Sequence, residues 1–149
     1  MNLKKIWKRP IEFLYIDANY HDYELSKKDF LEWTAKLIDG GVVAVHNTFP
    51  ALGAIIFEHQ PLYGWPGPKR MLHELVFGSK NYKNVGIVDN ITYAEKCAEN
   101  SLADRIMSRL VETKGWFSLL ALEIYRLLSR APKPIKKFVK RTLTSRAEN

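Results

Sequence analysis

A single cysteine, Cys97, stands among 149 residues, so no disulfide forms within the chain and a cysteine-based zinc cluster is excluded. This cysteine usage fits a reducing compartment, and the expected location is the cytoplasm. Long hydrophobic runs are also missing. The most apolar stretch, residues 116–128, is interrupted by Glu123 and Arg126 and falls short of the roughly 20 residues a membrane-spanning helix needs. The opening MNLKKIWKRP is basic but has neither the apolar centre nor the small-residue cleavage site of an export signal. Glycine is sparse. Its eight positions, 40, 41, 53, 64, 67, 78, 86 and 115, form no glycine-rich strand-to-helix turn. No internal repeat and no Pro/Gly/Ser-rich tract interrupts the chain.

What is present suits one modest globular unit, with 46% hydrophobic and 12% aromatic residues. The net charge of +7 is unevenly placed. Residues 1–100 hold 12 Lys+Arg against 12 Asp+Glu, whereas residues 101–149 hold 11 against 4. The chain therefore divides into a neutral body, 1–100, and a basic helical tail, 101–149. A nucleic-acid binder would carry its basic footprint across the body, and the tail's aromatics are too sparse for base stacking, so nucleic acid is disfavoured.

Residues 11–16 (IEFLYI) read as a buried strand. From 24 to 38, Phe30, Trp33 and Leu37 recur at helical spacing, and Gly40-Gly41 are expected to end that helix. Residues 42–45 then form a second buried strand, giving a strand-helix-strand crossover in a parallel sheet. A long loop, 47–67, leads to a helix with Pro68 in its first turn that stops by Gly78. A hairpin is expected for 84–88 and 91–94 around Asp89-Asn90. Ser101 and Asp104 mark another helix start, with Leu102, Ile106, Leu110 and Val111 as its apolar face. Residues 116–130 form a nearly all-apolar helix wanting burial or a partner, and Pro132 and Pro134 break it. A basic amphipathic segment follows, with Ile135, Phe138 and Val139 on one side and Lys136, Lys137, Lys140 and Arg141 on the other. With Trp116, this tail suits the surface of an anionic bilayer.

Ligands of parallel α/β sheets sit beyond the carboxyl ends of strands. Asp17, His21 and the pair His46-Asn47 occupy those positions. An imidazole can take up and return a proton near neutral pH, so His46 and His21 are the candidate catalytic bases, with His46 favoured by its rigid strand-end position.

The succession FLYIDANYHDYE, KKDFLEW and GGVVAVHNT resembles the class I S-adenosylmethionine-dependent methyltransferases of the Methyltransf_24 type, whose pattern is IDGDHSYE, a K/R-x-D-x-x-x-W segment and GGIIAFHDT. The likeness covers residues 11–48 and extends weakly through GPKR (67–70) and VGIVDNITYAEK (85–96). It implies an α/β fold, the C-terminal half of a Rossmann-like doubly wound sheet ending in an antiparallel strand, with added C-terminal helices. The two strands here would be its fourth and fifth. The resemblance also implies that Asp17 and Asn47 lie at the acceptor site, where related enzymes anchor an acceptor hydroxyl through Mg²⁺ held by residues at these two positions. Two departures stand out. One extra residue separates Asp17 from His21, and Asn47 replaces the final Asp of the HD pair, which removes a hard charged ligand. S-adenosylmethionine is the implied cofactor, yet no residue of this chain is assigned to bind it, because its contacts belong to the earlier strands of that fold.

Two classes of function follow. The first is methyl transfer to a small-molecule or sugar acceptor by a chain that needs a missing N-terminal half or a second copy. The second is a non-catalytic interaction or membrane-surface module derived from such an enzyme.

Overall fold

The computed structural model describes residues 7–17, 22–50, 65–130 and 132. His21, most of the long loop and the segment beyond Pro132 lie outside the described residues. The architecture is α/β, with strands β1 (Ile11–Ile16), β2 (Leu37–Val45), β3 (Tyr82–Val88) and β4 (Ile91–Lys96) and helices α1 (Tyr23–Thr34), α2 (Pro66–Leu75) and α3 (Leu102–Arg130). The four strands form one mixed sheet in the order β1-β2-β4-β3. β1 and β2 are parallel, and β4 runs antiparallel to both of its neighbours.

Helix α1 begins where the Asp22 carboxylate accepts the Leu25 amide at 3.0 Å. It ends at Thr34, earlier than the glycine pair suggests. The Thr34 hydroxyl bonds back to the Phe30 carbonyl, and Lys96 from β4 donates to the carbonyls of Thr34 and Leu37. A cation thus satisfies the acceptors left open at the helix end. Leu37 belongs to β2, where it pairs with Ile11. Gly40, at φ +82°, sits in the irregular stretch where β2 carries extra residues against β1, so the glycines serve a strand irregularity and not a helix cap. The hairpin forms as expected and is longer at both ends, with Asp89 at φ 51° in its turn.

Along β1 and β2 the pairs Leu14–Val43 and Ile16–Val45 share one sheet face. Phe30 of α1 and Met71 and Leu72 of α2 cover that face, and Val111 and Leu119 of α3 extend the cover. The opposite face shows Phe13, Tyr15 and Tyr93 to solvent. Among the described residues, no helix lies on it.

The two helices expected after residue 101 are one, and of the expected apolar face only Val111 turns to the body. Ser101 and Asp104 form the anticipated capping box. The buried positions of α3 are Ser108, Glu112, Gly115, Ser118 and Leu122, whereas Leu102, Ile106 and Leu110 are exposed. Gly115 explains the close seating: a Cβ there would lie 2.7 Å from the Phe49 ring. Small residues let the helix backbone approach the body, which turns the larger apolar side chains outward. No described helix is long and apolar enough to cross a membrane.

Candidate functional site

Because β1 and β2 are parallel neighbours, Asp17 and His46 emerge side by side at the same sheet edge, one residue beyond the Ile16–Val45 pair. The His46 amide donates to the Ile16 carbonyl at 2.9 Å, which fixes the backbone. His46 Nδ1 lies 2.8 Å from Asp17 Oδ1. A carboxylate can only accept, so Nδ1 carries the proton, and the tautomer this selects for the uncharged ring is the one with a bare Nε2 on its far side. This is the arrangement a general base requires, with a carboxylate holding the tautomer and stabilising the imidazolium that forms.

A cleft of about 350 Å³ adjoins Asp17, lined by Leu14, Tyr15, Ile16, Asp17, Asp29 and Trp33. Aromatic faces beside carboxylates suit a ligand that combines hydroxyls with apolar ring faces. The contributions of Tyr15, Asp29 and Trp33 could have been sought in the sequence only through the helical spacing that puts Asp29 and Trp33 four residues apart on one face.

Asn47 is brought to the same edge but faces away from Asp17. It takes a left-handed φ of 56°, its side-chain oxygen accepts from Asn90 at 3.1 Å, and its carbonyl accepts the Trp65 amide at 2.7 Å. Fully buried Thr48 then bonds to Asn90 and Thr92. These contacts tie the strand end to the hairpin turn and close the base of the long loop. A divalent cation therefore fits this pair poorly. Asp17 is the one carboxylate, it already engages His46, and the Asn47 oxygen is directed at Asn90. Among the described residues, no group of three His, Cys, Asp or Glu side chains is placed to hold a metal.

A second histidine–carboxylate pair joins α2 to α3, and nothing in the sequence singled it out. His73 Nδ1 lies 2.5 Å from Glu112 Oε1, and Arg109 donates to Glu112 Oε2 at 2.7 Å. Glu112 is buried to 5% exposure, so these donors compensate a desolvated charge. Beside it, Pro66, Lys69, Arg70, His73 and Trp116 line a cleft of about 600 Å³, and burial lowers the Lys69 amine below its ordinary range. No protein-family model and no curated protein matches this chain.

Proposed function

We propose that this chain is the acceptor-side half of an S-adenosylmethionine-dependent methyltransferase, acting on a hydroxyl of a small molecule or sugar. One observation carries the proposal: the Asp17–His46 pair at 2.8 Å on the ends of adjacent parallel strands, within the stretch that resembles the family. His46 Nε2 takes the hydroxyl proton of an acceptor bound at this strand edge, and Asp17 holds the ring and balances the resulting charge. The last strand, β4, runs antiparallel within the sheet, in keeping with the family's pattern.

The described residues do not fit the cofactor. Neither described strand end carries a glycine turn, and the acid beyond β1 is already committed to His46. A further half is the proposed source of the cofactor site. Among the described residues β1 pairs only with β2, and Phe13 and Tyr15 stand exposed on it. Parallel strands are usually covered on both faces, so this edge is where the further half would join.

The test is methyl transfer from labelled S-adenosylmethionine to a panel of hydroxyl acceptors, with the chain co-expressed beside the product of the neighbouring upstream reading frame. Transfer is expected to fall about 10²–10⁴-fold in His46→Ala. Transfer that survives this substitution would remove His46 from the reaction. By itself the chain is expected to bind the cofactor more weakly than about 100 μM, and tighter binding in calorimetry would reveal a pocket within this half. The alternative of a non-catalytic interaction module is favoured by a different observation, the outward apolar face of α3.

A further inference from the structure

The outward side chains of α3 repeat with a fixed period. Ile106, Leu110, Thr113, Phe117, Leu120, Ile124 and Leu127 are spaced four and three residues apart in strict alternation. Six of these seven are large apolar residues, and all six are exposed, Phe117 at 65% and Leu127 at 70%. A 3.5-residue period is the signature of a seam between two helices, because it keeps one narrow stripe facing a partner along the whole length. The stripe runs down a helix of 29 residues, about 43 Å at 1.5 Å per residue. Among the described residues nothing covers it, since the opposite face of α3 is the one seated on the body.

The charges beside the stripe select the partner and its direction. Arg109 and Glu123 flank it on the same side, each seven residues from Trp116. In an antiparallel pair of identical helices, Ile106 meets Ile124 of the second copy, Leu110 meets Leu120, Thr113 meets Phe117 and Ala103 meets Leu127. That register sets Arg109 against Glu123 twice, once on each side of the two-fold axis. It leaves one like-charge pair, Lys114 with its own copy, on the solvated rim. A parallel pair would instead set Arg109 against Lys114 twice and leave Glu123 facing Leu128. Glu123 bonds Arg126 in an exposed pair of little worth and is readily exchanged. Arg109 holds Glu112 through Nη1 with the rest of its guanidinium lying against Gly78, so it meets Glu123 of the second copy by turning outward from the body. A bilayer would be served less well, because Glu123 borders the stripe and would meet anionic headgroups.

We propose that the outer stripe of α3 is a homodimer interface, in which two copies of this chain pair antiparallel about a two-fold axis near residues 115–116. The interface is isologous, and each copy contributes the same patch. The proposal does not depend on the methyltransferase reading.

Sedimentation equilibrium of the full chain tests it. A dimer is expected, and Phe117→Glu and Leu120→Glu, both at exposed positions, should each weaken association by about 100-fold while leaving the circular dichroism unchanged. Direction is read by disulfide crosslinking in a Cys97→Ser background, with substitutions gentle enough to keep the dimer. An equimolar mixture of Ile106→Cys and Ile124→Cys chains should form the mixed crosslinked species, whereas crosslinking only between like chains would overturn the antiparallel arrangement. A folded chain that stays monomeric at all concentrations sinks the proposal. So does a monomer that pellets with phosphatidylglycerol vesicles through Leu120, since the stripe would then belong to a lipid surface.

Discussion

His46 and His73 each turn Nδ1 toward a carboxylate, and the burial of the two pairs is inverted. At the sheet edge the carboxylate side chain of Asp17 is 53% exposed while that of His46 is 27% exposed. Between the helices, Glu112 is 6% exposed and His73 is 57% exposed. A carboxylate buried in a helix interface must be neutralised by donors in the folded state, so the Glu112 cluster acts as a brace between α2 and α3. A carboxylate left in water needs no such compensation. Its bond to His46 therefore adds little stability and serves to orient the ring, as the proposed methyl transfer requires. Similar pairs thus have different consequences, decided by which partner is desolvated.

The sharpest way to break this contrast is Glu112→Ala. It removes the acceptor shared by His73 and Arg109 and leaves a gap under α3, so a loss of about 3 kcal/mol is expected. Thermal unfolding should show this as a fall in Tm of about 6–12 °C at this chain length. A change within 2 °C would mean that the cluster is solvated in solution and braces nothing.

Gly115→Ala probes the seating that brings Glu112 to His73. Alanine in an unobstructed helix stabilises by about 1 kcal/mol over glycine, whereas a Cβ here meets the Phe49 ring at 2.7 Å. Overpacking of this kind costs about 1–3 kcal/mol, so a net loss of about 1 kcal/mol is expected in denaturant titration. A stabilised variant would show that α3 does not lie this close to Phe49.

These two positions also show where the sequence could and could not be read. The strands of the crossover were legible because IEFLYI and VVAV are short apolar runs with no competing period, and the capping box because Ser101 and Asp104 are local. The end of α1 was not. A glycine pair imitates a helix cap, and the groups that close the helix are the Thr34 hydroxyl and Lys96, the latter 62 residues away in sequence. The orientation of α3 is not legible, because an apolar stripe normally turns inward, whereas here Leu102, Ile106 and Leu110 are exposed, Val111 alone of that face packs on the core, and Gly115 seats the helix against Phe49. Asp17 and His46 were legible from strand ends alone. His73 was not, since its partner Glu112 lies 39 residues on and no spacing rule links them.

Ser101→Ala tests the start of the helix that carries Glu112. Losing the cap should cost about 1 kcal/mol. Asp104 is held below the ordinary carboxylate range first by the Ser101 hydroxyl and then by the Ser101 amide. A depressed folded-state value means that its contribution is present at neutral pH and is lost as pH falls through that value. The gap between wild type and Ser101→Ala should therefore narrow on the acid side. A gap that widens in acid would remove the carboxylate from the cap.

The smallest stability effect is expected at the site with the largest expected effect on activity. Asp17→Asn keeps the size of the side chain and its capacity to accept from Nδ1–H. It removes the charge that would stabilise an imidazolium, and its amide can turn a donor toward the ring and favour the wrong tautomer. Because Asp17 is half exposed, stability should change by no more than about 0.5 kcal/mol. The proposed methyl transfer, measured with the co-expressed further half, should fall by about 10²-fold or more. Glu112→Gln is the matching change at the other pair, and there the order reverses, with stability lost and the sheet-edge base untouched. Measured side by side, the two substitutions separate brace from base. If Asp17→Asn proves as destabilising as Glu112→Gln, then Asp17 and His46 also form a structural tie between β1 and β2, and the bare Nε2 of His46 loses its claim to the acceptor's proton.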